Sequence, residues 1–251
     1  MAGHADSERD KDSGRDRDSE RDKDGAGAVD RKPPRKGMAE KRRAITSGAR
    51  TVFGREGYTR ASIDAIAAEA GVSTRTIYNH FGDKEGLFRA VLLESAESVT
   101  AATEALFERH LRKVRDVEED LLDFAREWVG QSEAHPGQFS VVRQIIPEGR
   151  RLPADVLEEW QRIGPRASQD ALARWLLELG RQGLLAVDEA NARKAARHLA
   201  LMVGGGVTAE SYFGALPLAE AEVEEIVRDG VGIFLRLYGV DAARGPAGAG
   251  V

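Results

Sequence analysis

ASIDAIAAEAGVSTRTIYNHF, residues 61–81, encodes two short helices and the tight turn that joins them. Ser62 is a good N-cap, Ile63, Ile66, Ala67 and Ala70 share one helical face, and Gly71 ends the first helix. Ser73 caps the second, Thr74 to His80 make about two turns, and Ile77 and Phe81 face back toward the first helix. That is a helix-turn-helix. The outward face of its second helix carries Thr74, Arg75, Thr76, Tyr78, Asn79 and His80, nearly all hydrogen-bonding side chains that a core helix has no use for.

Working outward, a preceding helix is expected from about Met38 to Glu56, with Ile45, Ala49, Val52 and Phe53 on one stripe and Lys41, Arg42 and Arg43 at its outer end. Gly57 is its stop. On the other side, a helix from about Lys84 carries Leu87, Phe88, Val91 and Leu92 and meets no breaker before about Leu111. The remainder is helical in period. Val117 to Val129 forms one stripe ended by His135-Pro136-Gly137, and Phe139 to Ile146 forms a shorter helix stopped by Pro147. Val156 to Leu179 should break or kink at Gly164-Pro165. A further helix opens near Asp188 and runs to about Tyr212, and the last carries Val223 to Tyr238. No alternating strand pattern occurs. The expected fold is all-α, with an N-terminal three-helix helix-turn-helix domain over residues 38–84 and a C-terminal helical domain over 85–239. A densely charged tail (1–37) and an Ala/Gly/Pro tail (240–251) are expected to be disordered, because neither can bury enough apolar surface to offset the entropy of ordering.

The region resembles the helix-turn-helix of the TetR family of transcriptional regulators. The resemblance is carried by Ser62, Ile66-Ala67, the turn Ala70-Gly71-Val72-Ser73, the string Ile77-Tyr78-Asn79-His80-Phe81, and Lys84-Glu85-Gly86-Leu87-Phe88. It implies a homodimeric, ligand-responsive regulator that acts on double-stranded DNA, in family habit as a repressor. It also implies that the helix from Lys84 transmits the response. A dimer reading B-DNA places two recognition helices in successive major grooves roughly 34 Å apart, so the operator should be a pseudo-palindrome.

Net charge supports that division. Of the formal −5, residues 1–37 contribute 0, residues 38–90 contribute +3 and residues 91–251 contribute −8. An acidic body behind a basic head orients the molecule toward a polyanion. Within the head, Thr74, Arg75 and Thr76 occupy the turn that points into the groove and are assigned to base edges. Arg75 suits guanine O6 and N7, at about 1–3 kcal/mol of discrimination, or else pairs with a local carboxylate. Tyr78, Asn79, His80 and Lys84, with Thr59 and Ser62, are assigned to the DNA backbone, Tyr78 and His80 foremost by the resemblance, and Arg43 is a further candidate DNA contact. Asn79 has a second reading as an adenine contact, Tyr78 as a core aromatic, and His80 as a polar residue capping its own helix.

The resemblance further implies that the C-terminal helices enclose a small-molecule site and pair in a four-helix dimer interface. Trp128, Phe139, Trp160 and Trp175 are candidate walls, and Gln131, Arg143 and Gln144 candidate orienting groups, although a tryptophan on a helical face is core more often than ligand wall. A fairly apolar or aromatic effector is expected. The last two long helices are the interface candidates, because Gly204-Gly205-Gly206 on one and Gly230 and Gly232 on the other would let backbones approach closely.

Other classes are disfavoured. The chain has no cysteine and so no disulfide or thiol nucleophile. Its five histidines, His4, His80, His110, His135 and His198, form no pair at metal-ligand spacing on one helix. No nucleophile elbow or Walker string occurs, so an enzyme with a DNA-binding head is a minor reading and no cofactor is expected. A chromosome-coating protein without sequence preference remains the rival within DNA binding. No signal peptide or membrane span is legible, and a cytoplasmic location is expected. The basic arm at Arg31 to Gly37 is a candidate minor-groove or phosphate contact, and Met38 a candidate translation start.

Overall fold

A computed structural model describes residues 35–240 of the 251 in the chain, and the expectations for both tails lie largely outside that range. Helix α1 (Arg35–Arg60) begins three residues earlier than Met38. Only Gly37 interrupts those residues, and one glycine costs a helix about 1 kcal/mol. Near its other end Gly57 takes φ 78° and ψ 169°, which breaks the helical path where the sequence places the stop.

The next elements are α2 (Ile63–Ala70), α3 (Thr74–Phe81) and α4 (Lys84–Leu111). Each opens on the expected kind of cap. Ser62 Oγ accepts from Ala65 N, Ser73 Oγ from Thr76 N, and Asp83 Oδ1 from Gly86 N. Gly71, at φ 64°, closes α2 in the left-handed conformation that glycine adopts without strain.

Beyond α4 come α5 (Val117–Ala134), α6 (Pro136–Glu148), a 3₁₀ turn (Gly149–Arg151), α7 (Ala154–Ile163) and α8 (Pro165–Arg181). Gly164 separates α7 from α8, as the Gly-Pro pair predicts. Two boundaries differ from expectation. Pro136 starts α6 instead of merely ending α5, since a proline at the first helical position loses no bond that it could have made. Pro147 does not stop α6 short, because the helix has only one residue left to run.

The expected helix from Asp188 to Tyr212 is divided. Asp188 Oδ1 caps a turn by accepting from Ala190 N and Asn191 N, and α9 (Ala192–Ala200) opens after Asn191. A π turn (Leu201–Gly205) and α10 (Gly206–Glu210) follow, before α11 (Glu220–Tyr238) closes the fold. Among the described residues no strand forms, only an isolated bridge between Leu185 and Gly239.

Two apolar cores hold these helices. One joins Ile45, Val52 and Phe53 of α1 to Ile66, Ile77, Leu87, Phe88 and Val91, and it also takes Val141 and Ile145 of α6, Leu152 and Val156. The head is thus completed by residues from the far half of the chain. The other core packs Phe107, Leu121 and Phe124 against Leu172, Leu176, Leu199, Val227, Val231 and Phe234. Helix α4 contributes to both, which makes it a rigid link between them.

Candidate nucleic-acid interface and cavity

Helix α3 is anchored by Ile77, with Phe81 packed partly buried against the same core. Ile77 is fully buried, while Arg75, Tyr78 and Asn79 project from the opposite side and Thr74, Thr76 and His80 are half-buried. Tyr78 is 49% exposed, so it is not a core aromatic. Among the described residues Arg75 has no carboxylate partner within ion-pair distance, and the local pairing considered for it does not form. Thr76 Oγ1 lies 2.9 Å from Ser73 Oγ, so its hydroxyl takes part in the cap. Ser62 Oγ accepts a backbone bond and keeps its own hydrogen to donate. Arg43 is exposed on α1. Its neighbour Arg42 bonds Glu94 and lies 4.7 Å from the centroid of the Phe81 ring.

Lys84 and Thr59 are tied to each other. Lys84 Nζ donates to Thr59 O at 3.3 Å and sits 4.8 Å from the centre of the Tyr58 ring. Burial lowers its pKa, although Glu148 acts in the opposite sense. Glu148, at the end of α6, was not foreseen. Its carboxylate accepts from Tyr58 N at 2.6 Å and from Thr59 N at 3.1 Å, satisfying the donors exposed by the break at Gly57. Gln144 Nε2 adds a bond to Gly54 O. The orphaned donors after Gly57 are a sequence signal, but a partner some ninety residues away is not.

On the other side of α6 lies a cavity of about 640 Å³. It gathers Trp128, Gln131, Phe139, Arg143 and Trp160 on one wall system, with Thr103, Ile146 and Phe213. Trp175 is not among them. Its side chain packs against the second core, about two turns along α8 beyond Ser168, the last residue of that helix on the cavity wall. Gln144 likewise faces α1. Ile145 serves both regions, lining the cavity and belonging to the head's core.

The glycines expected at an interface between chains pack inside this one. A Cβ at Gly230 would lie 2.8 Å from Met202 O, and one at Gly206 would lie 2.8 Å from Ile226 Cγ2. Those close approaches are made within the chain, between α11 and the π turn with α10. Gly204 faces open space, and Gly232 meets only the end of Arg236. What the two segments present outward includes large apolar side chains among charged ones: Leu201, Ile233 and Leu237 are exposed by 62%, 39% and 53%.

Comparison with known proteins follows the same division. Residues 45–91 match the family described as bacterial regulatory proteins, tetR family, and residues 119–240 match the AefR-like transcriptional repressor C-terminal domain. The HTH-type transcriptional regulator UidR of Escherichia coli K12 is 30% identical over 195 residues, spanning 67% of this chain and 93% of that protein. The HTH-type transcriptional repressor Rv1474c of Mycobacterium tuberculosis is 38% identical over 64 residues, 26% of this chain and 34% of its own length. A crystal structure of a TetR-family regulator from Mesorhizobium loti superposes with a TM-score of 0.73 at 29% identity, covering 81% of this chain and 98% of that one. The Flavonoid-responsive Regulator FrrA superposes with a TM-score of 0.59 at 28% identity, covering 80% and 98%.

Proposed function

The chain belongs to the TetR family of bacterial regulatory proteins, which are transcriptional regulators and not enzymes, and from that premise we propose a homodimer that binds a pseudo-palindromic operator and is released by a small molecule in its cavity. The observation that carries the operator reading is the exposed polar face of α3, held by the buried Ile77 and the partly buried Phe81. Arg75, Thr74 and Thr76 read base edges in this account. Tyr78, Asn79, His80, Ser62, Thr59, Lys84 and Arg43 hold the backbone. Residues 38–84 form the DNA-binding unit and 85–239 the ligand-binding and dimerisation unit.

Leu201 and the i, i+4 pair Ile233 and Leu237 support dimerisation, since large exposed apolar side chains on neighbouring segments suit an interaction surface. The cavity supports release by a ligand, because its volume falls within the usual range for small-molecule sites and its walls are mainly apolar. FrrA, by its description, responds to flavonoids, which favours a flat aromatic effector for this chain too. Among the described residues no helix is long and apolar enough to cross a membrane.

Selection of random duplex DNA by the purified chain, with the winning sequence titrated at two salt concentrations, tests the reading. An inverted repeat bound at least about a thousandfold above competitor is expected. Uniform binding that fades equally for all sequences as salt rises would favour the chromosome-coating account. Arg75→Ala should relax preference at one operator position by about 1–3 kcal/mol. An equal loss on every sequence would reduce Arg75 to a phosphate contact.

A further inference from the structure

Gln131 is 6% exposed on α5 and lines the cavity. Its Oε1 lies 3.1 Å from Thr103 Oγ1, whose single hydrogen is shared between that oxygen and Val99 O at 2.9 Å. Its Nε2 has no partner, alone among buried side-chain nitrogens and oxygens of the described residues. Several neighbouring hydroxyls are already engaged, although among the described residues those of Ser132 and Ser168 on the same wall are not. Thr100 donates to Ile163 O, Thr208 to Gly204 O, and Ser211 both donates to Thr208 O and accepts from Gly214 N. A buried donor without an acceptor is costly, so the site favours a guest that brings one to this place.

The rest of the wall narrows the class. Trp128, Phe139 and Trp160 present aromatic surface, which stacks well against flat conjugated rings. Arg143 lines the same cavity yet is solvent-exposed, and among the described residues it forms no salt bridge. It therefore supplies a cation where the cavity opens. We propose that the effector is a planar aromatic carbonyl compound whose carbonyl oxygen accepts from Gln131 Nε2 and whose acidic hydroxyl or carboxylate meets Arg143. This rests on the cavity being the effector site.

The test uses three probes of one shape: flavone, with the carbonyl alone; 7-hydroxyflavone, with an added acidic phenol; and 2-phenylnaphthalene, with neither. Tryptophan quenching is followed in the full chain carrying Trp175→Phe, so that the signal comes from Trp128 and Trp160. Affinity should rise from 2-phenylnaphthalene to flavone to 7-hydroxyflavone. Gln131→Leu should weaken flavone by about tenfold, the worth of one net hydrogen bond, and leave the hydrocarbon within about twofold. Its Tm should equal or exceed that of the parent, since the orphaned donor is gone. Gln131→Met provides the same comparison with an unbranched side chain. Arg143→Ala should bring 7-hydroxyflavone down to the level of flavone.

Equal weakening of flavone and hydrocarbon in both Gln131 variants would overturn the proposal and make the residue a packing element. Unchanged flavone affinity would overturn it as well. Saturable binding of all three probes in either of those cases would leave the effector cavity standing. Absence of saturable quenching by any probe would instead remove the effector-cavity reading, and this inference with it.

Discussion

The turn between α2 and α3 and the helix α6 are held in opposite ways. In the turn, Ser62 bonds Ala65, Ser73 bonds Thr76, and Gly71 supplies the left-handed residue, so each fixing contact spans a few residues. Helix α6 has no side-chain cap at its start, and its fixing contacts reach far along the chain: Gln144 to Gly54, Glu148 to Tyr58 and Thr59, Val141 and Ile145 into the head's core. One element carries its own instructions and the other is placed by its neighbours. The same α6 walls the cavity, so one helix touches both the cavity and the segment that leads into α2.

The largest test of that contrast is Ile145→Ala. If α6 is part of the head's core, the loss should be about 3 kcal/mol, comparable to Ile66→Ala within the head itself. Chemical denaturation measures both, and a loss at Ile145 well under 1 kcal/mol would detach α6 from the head. Next is Gly57→Ala. Gly57 needs φ 78°, and a Cβ there would lie 3.1 Å from both Gln144 Oε1 and Glu148 Oε1. A cost of about 2–3 kcal/mol is expected, against about 1 kcal/mol for Gly71→Ala, where the surroundings are open. Equal costs would mean that α6 does not constrain Gly57.

Glu148→Ala and Ser73→Ala compare a remote cap with a local one. The first should cost about 2 kcal/mol, because a charged acceptor serves two backbone donors, and the second about 1 kcal/mol. Glu148→Ala should also weaken operator binding, measured by fluorescence anisotropy, since it frees the residues just before α2.

The smallest effect concerns the far side of the molecule. Arg126 forks onto Glu224 with two bonds of 2.8 Å, and with help from Arg228 this holds the Glu224 carboxyl at about 2. A depressed carboxylate pKa adds stability above the unfolded value of 4.5 and loses it as pH falls toward 2. The pair is partly exposed, so Glu224→Gln should lower Tm by about 3 °C or less at pH 6, with the two chains converging as acid is added. A difference that persisted unchanged into acid would show that the carboxylate charge contributes nothing.

Much of the molecule was legible as sequence. Ser62, Gly71, Ser73 and Ile77 fall where α2 and α3 require them, because caps and helical faces are set by neighbours three or four residues away. Among the aromatics and amides, Trp128, Gln131, Phe139, Arg143 and Trp160 do meet around one cavity, whereas Trp175 does not. Residue type and helical period are the same for Trp160 and Trp175. What separates them is where the cavity ends: its wall takes in α7 at Trp160 and only the first turn of α8, to Ser168, and that extent is not written in the sequence.

The glycines of α11 and the π turn make the same point, since their need for close approach was readable and their partner was not. The sequence by itself determined the helical segments, the cap residues and the polar face of α3, all properties of contacts short along the chain. Only the tertiary structure decided that Glu148 closes the gap at Gly57, that Ile145 belongs to core and cavity together, and that Gln131 keeps an unspent donor. Those depend on which surfaces meet across tens of residues, and packing selects that arrangement from many with the same local pattern.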